Sequence, residues 1–286
     1  MRANPAGRAV EAWSAWRLPF DRLTPAQLAY RAELSSALRS LGPAGVLHAT
    51  YISSVVTPAV DAENLLFYNV GATAFQFLGS RALRYERVVG GPPPAPCRVS
   101  FTPSHYVHYS ITSDDPAWLH TRQGRQMAGC AVADCPRLNH VPSVWRAMKP
   151  CLVATPGAAW APRGAIAVRL GISAAPSVQL SLPALVKALT DGFVSALHSY
   201  QGMQLDEVAT RLGTQLGEPA AVVRALLEQA SAAVLGPRAV PHLRASSLQW
   251  SPADDRIMAG EVIREAWHGS ERGFTVRGAV FEAVQA

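Results

Sequence analysis

The sequence predicts an α/β or α+β protein, a single compact domain built on a mixed sheet. Two observations carry that expectation. Short runs rich in β-branched and aromatic residues, such as Val46 to Ser53 and Ala165 to Ile172, alternate with longer segments whose apolar residues recur at helical spacing. The 286 residues are 49% apolar against 16% charged, enough to bury a substantial core and too apolar for a disordered chain.

Taken in order, Thr24, Pro25 and Gln27 form a capping box with proline at the first helical position. Tyr30, Leu34, Ala37, Leu38 and Leu41 follow at helical spacing until Gly42-Pro43. A strand over Val46 to Ser53, a long apolar segment over Asp61 to Leu78 and a strand over Ala82 to Val89 then read as strand, helix, strand. Gly90 to Pro96 holds four prolines and two glycines, so it breaks regular structure and divides the chain into halves, 1–90 and 91–286. Arg98 to Thr112 has strand character, with a turn at Ser113-Asp114-Asp115-Pro116, while 116 to 164 resists assignment. After the strand at Ala165, Ser181 is expected to cap a helix with Leu182, Leu185, Val186, Leu189, Phe193 and Leu197 on one face. Leu205 to Leu216 predicts a further helix, and so does the stretch from Glu218-Pro219 to Gly236-Pro237. Strands are expected over Arg256 to Ile263 and Phe274 to Val280.

Twenty-six basic and 20 acidic residues give a net charge of +6, which suits a polyanionic partner. Lys149 and Lys187 are the two lysines, so the excess is carried by arginine, a composition that coding bias explains equally well. No stretch stays apolar for about 18 residues, which predicts no membrane span. Glu11, Trp13, Trp16 and Arg17 interrupt the apolar core that a signal peptide requires, so a cytoplasmic protein is expected. Four cysteines are too sparse for a disulfide framework, and reduced thiols are expected in that compartment. Cys130, Cys135 and His140 are the candidate zinc ligands, though their five-residue steps are looser than zinc loops usually show; buried thiols packed as small apolar groups are the alternative.

The strongest chemical candidates are acidic. Asp61 and Glu63 stand one residue apart before an apolar run, where both carboxylates can face a common Mg2+ or Mn2+, with Asn64 placed to hold a carboxylate or a metal-bound water. Lys187 and Asp191 lie four apart on one helix face, the ammonium positioned for a phosphate oxygen. Asp254, Asp255 and Arg256 precede a strand. Each group has a structural alternative: a helix cap for Asp61, a surface ion pair for Lys187 and Asp191, and a turn for Asp254 and Asp255.

The order of these segments resembles RusA-type Holliday-junction endonucleases. In that family a strand leads into D-x-D-N, then a lysine and an aspartate on the following helix, then a D-D pair before another strand. Here Asp61-Ala62-Glu63-Asn64 matches D-x-D-N with glutamate for the second aspartate, but Phe67 and Gly71 stand at the lysine and helix-aspartate positions. Conversely Lys187, Asp191 and Asp254-Asp255 match, while Ser181, Leu182, Pro183 and Ala184 occupy the D-x-D-N positions, and about fifty residues of extra helix precede Asp254. The resemblance covers about a quarter of the chain and suggests two RusA-like halves in tandem. It implies a metal-dependent endonuclease acting on structured DNA or RNA, with Asp61, Glu63, Lys187 and Asp191 as catalytic residues, Asp61, Glu63, Asp254 and Asp255 as metal ligands, and Asn64 and Arg256 contacting nucleic acid.

The alternative from another class is a non-catalytic subunit of a larger complex, its acidic site lost and its Trp-rich middle an interface with another protein. G-x-S-x-G, G-x-x-x-x-G-K, G-x-G-x-x-G and H-E-x-x-H are absent, which leaves serine-hydrolase, nucleotide-binding and metalloprotease chemistry without a motif. His105 and His108, three apart on a strand, are expected on opposite faces, one buried and one exposed. Trp13, Trp16 and Arg17, or Trp145 and Arg146, have the composition to stack on bases.

Overall fold

The structure, a computed structural model, describes residues 2–3, 8–41, 45–55, 61–75, 81–95, 101–113, 117–158, 164–245, 247–267 and 273–284. In chain order these form β1 (Arg2–Ala3), β2 (Ala9–Ser14), α1 (Pro25–Arg39), β3 (Val46–Ser53), a π-helical turn (Asn64–Tyr68), a 3-10 turn (Ala72–Phe75), β4 (Ala82–Val89), β5 (His105–Thr112), β6 (Gln123–Cys135), α2 (Val141–Met148) and β7 (Val153–Ala154). They continue as β8 (Ile166–Ala174), α3 (Leu182–Ala196), β9 (His198–Tyr200), α4 (Leu205–Leu216), α5 (Ala220–Glu228), β10 (Gly236–Arg238), β11 (His242–Arg244), β12 (Ser247–Gln249), β13 (Ile257–Glu265) and β14 (Phe274–Ala283). The fold is α/β with a mixed sheet, as the alternation of strand and helix patterns predicts. Among the described residues no helix is long and apolar enough to cross a membrane. Contacts divide the chain into two compact units: Met1–Leu119, Gln179–Lys187 and Ile257–Ile263 form the first, and His120–Val178, Ala188–Arg256 and Arg264–Ala286 the second.

In the first unit the strand order is β1, β2, β5, β3, β4, β13. β3 and β4 are parallel and in register from Val46 opposite Ala82 to Ser53 opposite Val89, whereas β3 with β5, and β4 with β13, are antiparallel. A parallel pair needs a crossover, and residues 61–75 supply it. Apolar residues at helical spacing draw this crossover onto the sheet. Leu66, Phe67 and Phe75 are buried, and the Phe67 ring meets Phe75 and Tyr85 edge-on at 5.5 and 6.1 Å. One long helix does not form, because Gly71 has φ +103°, a left-handed conformation that ends the π-turn and suits glycine. The capping box forms as expected: the Gln27 amide N–H donates to the Thr24 hydroxyl, and the Thr24 N–H to the Gln27 side chain at 2.8 Å.

Two residues of β13 tighten this unit. Gly260 faces Tyr85, where a Cβ would stand 2.1 Å from the ring, so only glycine lets the two strands pair there. Beside it, the Arg84 guanidinium bonds the Glu261 carboxylate at 2.8 Å, both side chains being almost wholly buried. The Arg84 guanidinium also lies 5.7 Å from the Trp118 ring centre.

In the second unit β8, β14, β6 and β7 form an antiparallel series. α3 runs into this unit from Ala188 onward. Gly192 allows close approach to Val144 of α2, and Phe193 lies where a Cβ on Gly278 of β14 would stand. β9 pairs in parallel with β10. The 13-residue β6 lies within the stretch that sequence pattern left unassigned, and its bulges opposite β14 explain why no clean alternation marks it. The helix expected to run on to Gly236 ends at Glu228.

The cysteine expectation needs correction. Cys130 and Cys151 form a disulfide, with Cα atoms 5.2 Å apart, tying β6 to the 3-10 turn Lys149–Cys151 that follows α2. The pairing arises because α2 folds back along β6, which a spacing of 21 residues does not announce. Trp145 is also corrected as a base-stacking candidate. It is 1% exposed and packs against Trp250, and Arg146 is bonded to Glu218 at 2.7 Å.

Candidate functional site

The carboxylate pair sits at the start of the crossover. The Asp61 carbonyl accepts the first helical bond, from the Leu65 amide at 3.2 Å, and the Asn69 amide donates to the Asn64 carbonyl at 2.8 Å, an i to i+5 step. The chain folds this way because Ala62, Leu65, Leu66 and Phe67 are pulled into the core and the Tyr109 hydroxyl donates to the Leu66 carbonyl at 2.6 Å. Asp61 and Asn64 are left half-buried on the other side. Such π-turns recur at functional sites.

Glu63 is fully buried and Asp61 22% exposed, each offering a carboxylate oxygen within 4.8 Å of the other. Two acidic groups this close repel, and a carboxylate cut off from water requires a compensating cation. Lys187 supplies one: its Nζ lies 3.3 Å from Glu63 Oε1 and 3.6 Å from Asp61 Oδ2. The Asn64 side-chain amide donates to the Asp61 carboxylate, which fixes the amide's orientation. Its other end, Asn64 Oδ1, is buried with no hydrogen-bond partner among the described residues. Two carboxylates and an unsatisfied amide oxygen, all hard oxygen donors, fit Mg2+ or Mn2+ better than zinc.

Asp61, Glu63, Asn64 and Lys187 are therefore brought together. Lys187 reaches the acids 124 residues away in sequence, not only its helical neighbourhood. Asp191, one turn further along α3, is buried in the second unit. Asp254 is buried and Asp255 half-buried on the 3-10 turn Asp254–Arg256 that leads into β13. Arg256 is half-buried and donates from Nε to the Gly164 carbonyl at 2.7 Å. Burial holds its guanidinium below the ordinary arginine value. Ser181 opens α3 with its carbonyl, which accepts from Ala184 and Leu185. Among the described residues its hydroxyl makes no hydrogen bond, contrary to the expected side-chain cap.

The zinc candidates do not assemble. Cys130 is spent in the disulfide. Burial pushes the Cys135 thiol up to about 11, so it stays protonated and donates to the Arg137 carbonyl. His140 shares a 2.8 Å bond with Ser143. Among the described residues no cysteine joins a cluster able to hold a metal. His105 is buried as one of the expected pair, its Nδ1 2.6 Å from the Tyr51 hydroxyl and 3.2 Å from that of Ser53. Burial, then the charge of Arg17, lowers its pKa. His108 is half-buried and stacks on Tyr106.

Sequence pattern missed one exposed feature of the crossover. Tyr68, at the end of the π-turn, stacks on Phe20 with ring centres 4.6 Å apart and planes at 16°, though each side chain is at least half exposed. An aromatic residue at the polar end of an otherwise buried segment was the available signal. No protein-family model matches this chain, and no curated protein matches it.

Proposed function

We propose that this chain acts on nucleic acid as a divalent-metal-dependent endonuclease, with Asp61 and Glu63 as metal ligands. The observation that supports it is the convergence of both carboxylates on Lys187, with Asn64 bonded to Asp61 through its amide and its Oδ1 buried without a hydrogen-bond donor among the described residues. Asn64 orients the Asp61 carboxylate, and Glu63, walled in by the core, cannot swing away. When bound, Mg2+ or Mn2+ stabilises the charge that develops on phosphate oxygens during hydrolysis. Lys187 is 24% exposed, and its ammonium at the two acids can also meet a phosphate oxygen. Asp254, Asp255 and Asp191 enter this reading through the resemblance to RusA-type endonucleases.

Branched and linear DNA incubated with the protein in Mg2+ or Mn2+ test this reading. Cleavage abolished in Asp61→Ala supports it; no cleavage, or cleavage indifferent to that substitution, overturns it. A second reading rests on the same ion pairs: Lys187 neutralises the acids by itself, and the chain is a non-catalytic subunit of a protein complex. That reading requires no uptake of Mn2+ and a stable protein partner.

A further inference from the structure

We propose that the stacked rings of Phe20 and Tyr68 are a platform for an unpaired base, so that the substrate of the Asp61/Glu63 site is single-stranded or splayed nucleic acid; this rests on the nuclease reading. Phe20 is 56% and Tyr68 50% exposed, and the rings are nearly parallel. Two large rings stacked at the surface present a flat apolar area that water covers poorly, and a nucleobase face fits it whatever the base. In a duplex that face is already covered by its neighbours, so the platform favours a base out of the stack.

The platform is preorganised, and its Tyr68 lies on the same crossover segment as the carboxylates. The loop carrying Phe20 is pinned to the crossover by buried Asn69, whose side chain donates to the Leu18 carbonyl at 2.9 Å. Tyr68 follows Asp61 by seven residues. Arg17 and Arg22, both exposed, bracket Phe20, with Asp21 the intervening acid, so a phosphate backbone meets a net positive edge.

The test is fluorescence anisotropy in EDTA with a labelled oligothymidylate and a duplex of equal length, a condition in which no metal is needed. The Phe20→Ala/Tyr68→Ala pair is expected to weaken oligothymidylate binding by about tenfold and leave the duplex unchanged, and Tyr68→Phe to bind as the native protein does. Both side chains are exposed, so thermal melting should show the variants folded. Equal weakening on both probes, no weakening, or no binding of oligothymidylate by the native protein overturns the platform. Failure of the metal site would appear separately, as loss of Mn2+ uptake with oligothymidylate binding intact.

Discussion

The segments beginning at Asp61 and at Ser181 each follow a buried strand and open a helical turn, yet they are built differently. The first places three polar side chains over an apolar underside: Asp61, Asn64 and the fully buried Glu63. The second opens on Ser181, whose hydroxyl bonds nothing among the described residues, and on Leu182, which is wholly buried. Its contribution comes one turn later, as Lys187. One segment supplies the acids and the other the base. The comparison teaches that residues of the two segments meet: the buried Glu63 carboxylate lies 3.3 Å from the Lys187 ammonium.

The largest effect expected from breaking this arrangement is on chemistry. Glu63→Gln keeps the shape of the side chain and removes its charge, and cleavage in Mn2+ is expected to fall about a thousandfold, measured as single-turnover rate. Retained cleavage would separate the acids from the reaction.

The two lysines sharpen the comparison. Lys187 meets two carboxylates, whereas Lys149 is buried with the carbonyls of Ala196 and His198 at 3.0 and 2.6 Å, and burial pulls its pKa down to about 8 from 10.5. Between those values the unfolded chain holds a proton that the folded chain has released, so the contribution of Lys149 to stability rises with pH across the window, by about 3 kcal/mol. The buried Cys135 thiol and the buried tyrosines pull the other way in both proteins, so denaturant titrations at pH 8 and 10.5 should show the stability of the native protein relative to Lys149→Met rising by that amount.

Lys187→Met leaves Glu63 buried without this cation and is expected to cost about 2 kcal/mol in EDTA, since Lys187 is partly solvated. Mn2+ should recover part of that loss by binding the folded state. Thermal melts with and without Mn2+ measure both terms, and a variant as stable as the native protein would show that the ion pair is incidental. The smallest effects compare helix starts. Thr24→Ala removes a formed cap and is expected to cost about 1 kcal/mol, whereas Ser181→Ala, losing no bond, should change stability by less than about 0.5 kcal/mol.

Local signals explain what was legible in the sequence. β3 and β4 match the expected strands residue for residue because β-branched runs bounded by turn residues need no distant partner to be recognised, and α1 is announced by its capping box. β6 was hidden by bulges, and the crossover was misjudged as one helix because its stop, Gly71, lies inside an apolar run. At the site, Asp61, Glu63 and Asn64 were legible as oxygen donors at one helix start. The partner of Lys187 was not: helical spacing pointed to Asp191, and only the tertiary fold brings residues 63 and 187 together. The Cys130–Cys151 disulfide was hidden for the same reason.

Calorimetric titration with Mn2+ tests the central claim most directly. The native protein is expected to take up Mn2+, Glu63→Gln to lose that uptake, and Lys187→Met to bind at least as tightly, because the competing ammonium is gone. Absence of uptake by the native protein, or uptake unchanged in Glu63→Gln, would contradict the account and leave the ion pairs as structure alone.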